Sequence, residues 1–196
     1  MIRRATWGAI AVAASALMAT PVIVPMRPLL LWNATASTPV GLYVLRPAQD
    51  LRTGELVAAM PPQPIASFLA RGGFLPRGVP LLKHVAALSG QTICRFGDTV
   101  TIGGNTVAQA HDLDSHGHPL PRWQGCRTLT KGEVFLMNSA VPDSLDGRYF
   151  GSIPASSIVG RAIPVWLPHA AGVRASPAVS PSSTRNPKGT PRDTDR

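Results

Sequence analysis

Residues 33–43 read N-A-T-A-S-T-P-V-G-L-Y and lie between an apolar segment and a predicted strand. Pro39 fixes its own φ angle and biases Thr38 towards an extended conformation. Gly41 permits a tight turn because it has no Cβ atom. The stretch therefore predicts a rigid turn that presents Ser37 as a candidate nucleophile, although an ordinary loop can contain the same residues.

Short apolar runs separated by turns predict a mainly β domain. Strands are expected at residues 41–45, 55–60, 79–88, 133–137 and 158–166. Residues 91–108 predict a β-hairpin, since a Gly-Gly-Asn turn separates two runs rich in Thr and Val. One short helix is predicted at residues 65–71. Residues 170–196 contain almost no large apolar side chains, and such a composition predicts a disordered tail.

Composition limits the classes of function. The chain has 196 residues and a formal net charge of +9, which is enough length for one domain with a real core. A positive balance of this size makes nucleic-acid binding a candidate. The basic residues are scattered singly, without a Lys/Arg stripe or interleaved aromatic residues, so we expect no nucleic-acid partner.

The N-terminal segment predicts a membrane anchor. Residues 7–26 carry no charge and follow a pair of arginines, and about twenty apolar residues can span a bilayer as a helix. Positive charge ahead of the segment favours residues 1–6 in the cytoplasm and an exported domain over residues 27–169. A signal peptide cleaved near the small-x-small pattern of residues 14–16 and a buried core helix remain alternatives.

The two cysteines, Cys94 and Cys126, fit an exported domain, because an even pair in an oxidising compartment is more often a disulfide than two free thiols. A loop of this size predicts a stabilisation of about 3 to 4 kcal/mol. The histidines His111, His116 and His118 lie in a polar loop where solvated side chains are expected. We therefore expect neither a metal nor a cofactor.

Lys83 lies in the middle of the apolar run V-P-L-L-K-H-V-A-A-L. A lysine in such a run either extends its ammonium to water or loses charge by desolvation. A neutral amine can act as a general base, and serine-lysine dyads are a known variant of the catalytic triad. His84, its neighbour along a strand, is expected to face the opposite side.

A third stretch, residues 143–151, reads D-S-L-D-G-R-Y-F-G. Two acids, a serine and an arginine within one turn can form an ion pair and a frame of hydrogen bonds. An ordinary polar turn stabilised by an Asp-Arg contact is the alternative.

Together these stretches resemble the signal peptidase I superfamily of membrane-anchored serine/lysine proteases, and within it the TraF-type peptidases of conjugative transfer. The resemblance covers most of the chain up to about residue 166. It is carried by four motifs, N-x-T-x-S-x-P-x-G-L-Y at 33–43, T-G-E-L-V at 53–57, L-L-K-H-V-A-A-L-S-G at 81–90, and F-L-M-N-S followed by D-S-L-D-G-R-Y-F-G at 135–151.

The resemblance implies a role for each matching residue. These are Ser37 as nucleophile, Lys83 as general base, Thr35 with the Ser37 N–H as oxyanion hole, Ser144 as the hydroxyl that orients the lysine, Asp146 as an acid implicated in activity, and Arg148 as its structural partner. Two positions depart from the family pattern, since Gly147 replaces a serine and His84 stands where arginine is usual. The large extra β region of housekeeping signal peptidases is absent, and the Cys94–Cys126 loop takes its place.

The function implied is a serine endopeptidase of the bacterial inner membrane, with its catalytic domain in the periplasm. Its substrate would be an exported precursor, foremost the pilin of a conjugative or type IV secretion system, with a linear or a cyclised product. A general type I signal peptidase is the first alternative. A non-catalytic, membrane-anchored component of a secretion channel is an alternative of another class. A self-cleaving repressor is disfavoured, because an apolar segment occupies the place of its DNA-binding domain.

Overall fold

The computed structural model describes residues 4–23 and 30–168. The regular elements in these residues, in chain order, are α1 (Arg4–Ile23), β1 (Leu30–Asn33), β2 (Gly41–Arg46), β3 (Leu56–Ala59), α2 (Gln63–Arg71), β4 (Leu81–Ala87), β5 (Thr92–Phe96), β6 (Thr99–Ile102), β7 (Asn105–Gln109), β8 (Gly125–Thr128), β9 (Glu133–Met137), α3 (Gly147–Phe150), β10 (Ile153–Pro154), a 3-10 turn (Ala155–Ser157) and β11 (Ile158–Trp166). The prediction of a mainly β domain is confirmed.

The strands form two sheets with antiparallel pairing. The larger sheet has seven strands in the order β1-β2-β11-β3-β4-β9-β10, and the smaller has four in the order β7-β6-β5-β8. Strand β4 lies between β3 and β9, with Lys83 opposite Val57 and His84 opposite Met137. The strand that carries Lys83 is therefore central, and it brings this lysine into the body of the larger sheet.

Strand β9 joins the two sheets through the core. Its side chains from Val134 to Met137 are all buried. Phe135 packs with Ile93 and Val100 of the smaller sheet, whereas Leu136 packs with Val85 of β4. The residues that follow β9, which include the third motif, are thus attached to both halves of the core.

The N-terminal segment is helical, as α1, over most of the predicted span at residues 7–26; residues 24–26 lie outside the described residues. No helix within residues 4–23 and 30–168 combines the length and the apolar character needed to cross a membrane. The transmembrane anchor at residues 7–26 stays a prediction. The tail at residues 170–196 also lies outside the described residues, so its disorder stays a prediction.

Candidate active site

The loop between β1 and β2, which carries Ser37, folds around the buried side chain of Asn33. Asn33 Oδ1 accepts from the backbone N–H of Thr35 at 3.1 Å and from its hydroxyl at 2.8 Å. Asn33 Nδ2 donates to the carbonyl oxygens of Thr35 at 2.9 Å, Thr38 at 2.9 Å and Pro39 at 3.1 Å. The Tyr43 hydroxyl also donates to the Pro39 carbonyl at 2.6 Å. The hydrogen bonds of the Asn33 side chain therefore hold the rigid loop that the sequence predicted.

Gly41 has a different role from the one expected. It lies at the start of β2 opposite Asn33, with φ at +156°. A Cβ atom at this position would lie 2.2 Å from the carbonyl oxygen of Trp166 on β11. The need for glycine comes from this close approach of two backbones, and not from a tight turn.

The structure brings Ser37, Lys83 and Ser144 together. Lys83 Nζ donates to Ser37 Oγ at 3.3 Å and to Ser144 Oγ at 2.6 Å. Lys83 is 3% exposed and Ser144 is 2% exposed. Because Lys83 and His84 alternate along β4, the lysine points into the protein while His84 is exposed. The prediction that the two face opposite sides is confirmed.

The environment of Lys83 lowers the pKa of its amine. Burial is the main cause, and it lowers the pKa of Lys83 from 10.5 to about 8. The negative charge of Asp146 opposes this shift and the positive charge of Arg148 adds to it. Roughly a tenth of the molecules thus hold a neutral amine at about pH 7, and most hold one at about pH 9. The amine next to Ser37 is available as a base near neutral pH.

Thr35 lies beside the candidate nucleophile. Its Oγ1 is 3.5 Å from Ser37 Oγ and donates to Asn33 Oδ1 at 2.8 Å. A role for this hydroxyl in stabilising the oxyanion of a substrate attacked by Ser37 stays a prediction. To donate to that oxyanion it must rotate away from Asn33.

Asp146 and Arg148 form a buried ion pair beside these residues, 2% and 1% exposed. Arg148 Nε donates to Asp146 Oδ1 at 3.0 Å, and Nη2 donates to Oδ2 at 2.9 Å. The same guanidinium donates to the carbonyl oxygens of Asn138 at 2.9 Å, Val141 at 2.7 Å and Pro142 at 2.8 Å. The turn after β9 is therefore wrapped around the Arg148 side chain.

Asp146 acts on Lys83 from a distance. Among the contacts of the described residues, its carboxylate accepts hydrogen bonds from Asn138 and Arg148, and none from Lys83 or Ser37. Its effect on Lys83 is electrostatic, because its charge raises the pKa of the lysine. A catalytic role for Asp146 stays a prediction.

The family departure at Gly147 has a steric reason. A Cβ atom on Gly147 would lie 2.5 Å from Phe135 Cε2 and 2.8 Å from the Leu136 carbonyl oxygen. Such contacts are closer than van der Waals distance, and one of them is with backbone. At this position the structure leaves no room for the serine that the resemblance implies.

Asn138 is the residue of this region that the sequence did not single out, although it lies within the quoted motif F-L-M-N-S. It is 4% exposed, and its Nδ2 donates to the Ser37 carbonyl oxygen at 2.7 Å. A polar residue directly after a buried strand was the only signal available.

The Cys94–Cys126 disulfide forms as predicted, between β5 and β8 of the smaller sheet. The adjacent Arg95 is fully buried and donates to the Arg148 carbonyl oxygen at 2.7 Å. The smaller sheet thus supports the helix that carries Arg148. In the part of the chain that the structure describes, no group of three or more His, Cys, Asp or Glu side chains gathers as metal ligands.

A cleft of about 390 Å³ opens onto Ser37 and Lys83. Its walls are mainly apolar and come from β1, α2 and the segment that joins α2 to β4. Among its lining residues are Leu31, Trp32, Leu69, Phe74, Leu82 and Leu145.

Comparison with known proteins identifies the family. The family model described as signal peptidase, peptidase S26, matches residues 2–167. The chain belongs to this family. It is accordingly a serine peptidase.

The relatives place this S26 peptidase in the TraF-type branch. It is 34% identical over 146 residues to the conjugal transfer protein TraF of Agrobacterium fabrum, which covers 68% of this chain and 80% of the relative. It is 35% identical over 147 residues to a plasmid transfer protein TraF of Escherichia coli, covering 68% and 82%. A crystal structure of a signal peptidase I from Enterococcus faecalis V583 aligns with a TM-score of 0.35 at 19% identity, over 58% of this chain and 97% of that one.

Proposed function

We propose that this S26 peptidase cleaves exported protein precursors with a dyad of Ser37 and Lys83, and that the pilin subunit of a conjugative transfer apparatus is its foremost substrate. The observation that carries the proposal is the buried Lys83 amine, 3.3 Å from Ser37 Oγ, with a pKa of about 8. The names of the TraF relatives support the setting in conjugation.

In the proposed mechanism, neutral Lys83 takes the proton of Ser37 as Oγ attacks the scissile carbonyl carbon. The resulting lysine ammonium then gives a proton to the leaving amine as the peptide bond breaks. An acyl-enzyme remains, and a water deprotonated by Lys83 resolves it. Ser144 Oγ accepts a hydrogen bond from Nζ at 2.6 Å, which orients the lone pair of the amine towards Ser37.

The oxyanion formed in this reaction would be stabilised by the Thr35 hydroxyl and the Ser37 backbone N–H. Thr35 Oγ1 lies 3.5 Å from Ser37 Oγ, which supports this role. Loss of one such donor in other enzymes costs roughly 3 kcal/mol of transition-state stabilisation. Asn33, which accepts from the same hydroxyl in the free enzyme, would release it when the oxyanion forms.

The apolar cleft supports an extended substrate with small side chains before the cleaved bond. A peptide in an extended conformation alternates its side chains, so every second residue would face the apolar wall. In a pilin precursor, the amine of the same chain could replace water as the second nucleophile. The product would then be cyclic.

We propose an exported location at a membrane surface. The Cys94–Cys126 disulfide supports an oxidising compartment such as the periplasm. Trp32 and Trp166 are 51% and 56% exposed, with ring centroids 5.8 Å apart, beside the cleft. Paired exposed tryptophans suit a membrane-water interface.

The test is processing of a co-expressed pilin-like precursor by wild type, Ser37→Ala and Lys83→Met, read by intact mass. Lys131→Met serves as the matched control, because Lys131 is exposed in the turn before β9. We expect cleavage by wild type and by the control, and none by the two dyad variants. A cleaved product that is lighter than the linear product by the mass of one water would identify cyclisation.

The other outcomes separate the alternatives. Processing by both dyad variants would exclude the dyad. Cleavage of a general exported precursor, but not of pilin, would favour a general signal peptidase. Cleavage of neither, with conjugation lost on deletion and restored by Ser37→Ala, would indicate a non-catalytic component.

A further inference from the structure

We infer that Asn138 is a positioning residue of the proposed peptidase, and that through it the buried ion pair of Asp146 and Arg148 sets the position of Ser37. The inference rests on the proposed function, since it takes Ser37 to be the nucleophile. Asn138 binds the main chain of Ser37 and not its hydroxyl, so its role is to position Ser37 and not to take part in the cleavage reaction.

The side-chain amide of Asn138 binds the nucleophile loop across the sheet. Nδ2 donates to the Ser37 carbonyl oxygen at 2.7 Å and to Thr38 Oγ1 at 3.1 Å. It also lies 3.2 Å from the carbonyl oxygen of Leu82, to which Thr38 Oγ1 donates as well. One amide group thus ties Ser37 and Thr38 to the residue that directly precedes Lys83.

The orientation of this amide is fixed by His84. Asn138 Oδ1 lies 3.2 Å from the backbone nitrogen of His84 and 2.9 Å from its ring Nδ1. An amide oxygen carries no proton, so the backbone N–H of His84 donates to it, and the ring Nδ1 donates in the tautomer that is protonated there. A flipped amide would set its NH2 group against the His84 backbone N–H and its oxygen against the carbonyl oxygens of Ser37 and Leu82, so the orientation that reaches Ser37 is the stable one.

The main chain of Asn138 is held at both polar groups by the ion pair. Its N–H donates to Asp146 Oδ2 at 2.9 Å, and its carbonyl oxygen accepts from Arg148 Nη2 at 2.9 Å. All three residues are at most 4% exposed, with Asn138 at 4%, Asp146 at 2% and Arg148 at 1%. A shift of the ion pair therefore moves Asn138, and with it the backbone of Ser37.

The bonds of Asn138 fix the position of the Ser37 loop relative to the strand that carries Lys83. Ser37 lies in the loop after β1 and Lys83 lies on β4, which are not neighbouring strands. The bonds of Asn33 hold the loop within itself, whereas Asn138 holds it relative to the β4 backbone at Leu82. The distance of 3.3 Å between the nucleophile and its base depends on this second attachment.

The test is the single-turnover cleavage of a pilin-like precursor by Asn138→Ala over about pH 6 to about pH 10. We expect the plateau rate to fall about 10- to 100-fold, because misplacement by about 1 Å can cost a factor of about 100. KM should change little, and the midpoint near pH 8 should stay, because Asn138 is not among the groups that shift the pKa of Lys83. Asn105→Ala, at an exposed position at the start of β7, is the control and should keep the wild-type rate.

Thr38→Val gives a second route to the same link, because it removes an acceptor of the Asn138 amide, together with the bond from Thr38 Oγ1 to the Leu82 carbonyl oxygen, without touching the ion pair. If the amide acts through the loop, the losses from Asn138→Ala and Thr38→Val should be less than additive in the double variant. If Asn138→Ala does not fold, Thr38→Val alone should still lower the plateau rate at unchanged KM.

Three results would overturn the inference and leave the proposed function intact. The first is a wild-type rate for Asn138→Ala while Ser37→Ala and Lys83→Met are inactive. The second is a rate that falls only in proportion to the folded fraction, measured by circular dichroism. The third is fully additive losses from Asn138→Ala and Thr38→Val in the double variant. Activity in Ser37→Ala or Lys83→Met would instead refute the proposed function itself.

Discussion

The pH dependence of the acylation step tests the proposed base most directly. Lys83 is 3% exposed, and burial lowers its pKa to about 8. The fraction of neutral amine is then about 0.09 at pH 7 and about 0.9 at pH 9. The rate should therefore rise about tenfold over this interval and then level off. A lysine with the ordinary pKa would give a rise of about 100-fold over the same interval without a plateau.

The assay is single-turnover cleavage of an internally quenched precursor peptide, with Lys83→Met as the inactive reference. The same pKa shift also predicts a change in stability. Between pH 8 and pH 10.5 the unfolded chain binds more protons at Lys83 than the folded protein does, so stability rises with pH. From pH 7 to pH 9 the gain over Lys83→Met is about 1 kcal/mol by urea unfolding.

Three results would refute this reasoning. A rate that keeps rising with unit slope beyond pH 9 would show that Lys83 is not desolvated. A midpoint near 8 that persists in a weakly active Lys83→Met variant would assign the titration to another group. Equal stability changes in wild type and Lys83→Met would contradict the shift itself.

The remaining predictions concern three neighbours of the dyad. Thr35→Val should lower kcat about 100-fold by loss of an oxyanion donor, with KM little changed and Thr35→Ser close to wild type; equal activity of Val and Ser variants would exclude the role. Asp146→Asn should cost about 3 to 5 kcal/mol in urea unfolding, because Arg148 loses its buried counter-charge. It should also move the Lys83 midpoint down, and an upward shift would contradict the electrostatic account. Gly147→Ser should cost about 1 to 3 kcal/mol by overpacking, and an unchanged Tm would show that β9 can yield.

The parts of the fold that the sequence predicted are those set by local patterns. The strands that end near Arg46, Met137 and Trp166 were expected within about two residues, because alternation and turn residues mark them. Alternation also separated Lys83 from His84, since adjacent residues on a strand face opposite sides. The convergence of Ser37 and Lys83 came from the order of motifs, because no local pattern relates positions so far apart.

The parts that the sequence did not predict depend on tertiary neighbours. Strand β1 was not predicted, since Leu30–Asn33 is apolar at three of four positions and shows no alternation of apolar and polar residues. Gly41 and Gly147 are glycines because Trp166 and Phe135 approach them, and neither approach is written in the adjacent sequence. Asn138 has a polar side chain after a buried strand, which is equally consistent with a solvated turn. Only the fold turns it towards Ser37.

The ion pair also explains how a charged frame can support a base that must be neutral. A carboxylate alone near Lys83 would favour the ammonium and remove the base from use. Here the charge of Asp146 raises the pKa of Lys83 while that of Arg148 lowers it, so the two oppose each other and burial prevails. The pair can therefore fix the backbone of Asn138 through two hydrogen bonds without holding Lys83 protonated. Substitution of Asn138 should therefore lower the rate and leave the midpoint in place, whereas Asp146→Asn should change both, because Asp146 holds the Asn138 backbone and also raises the pKa of Lys83.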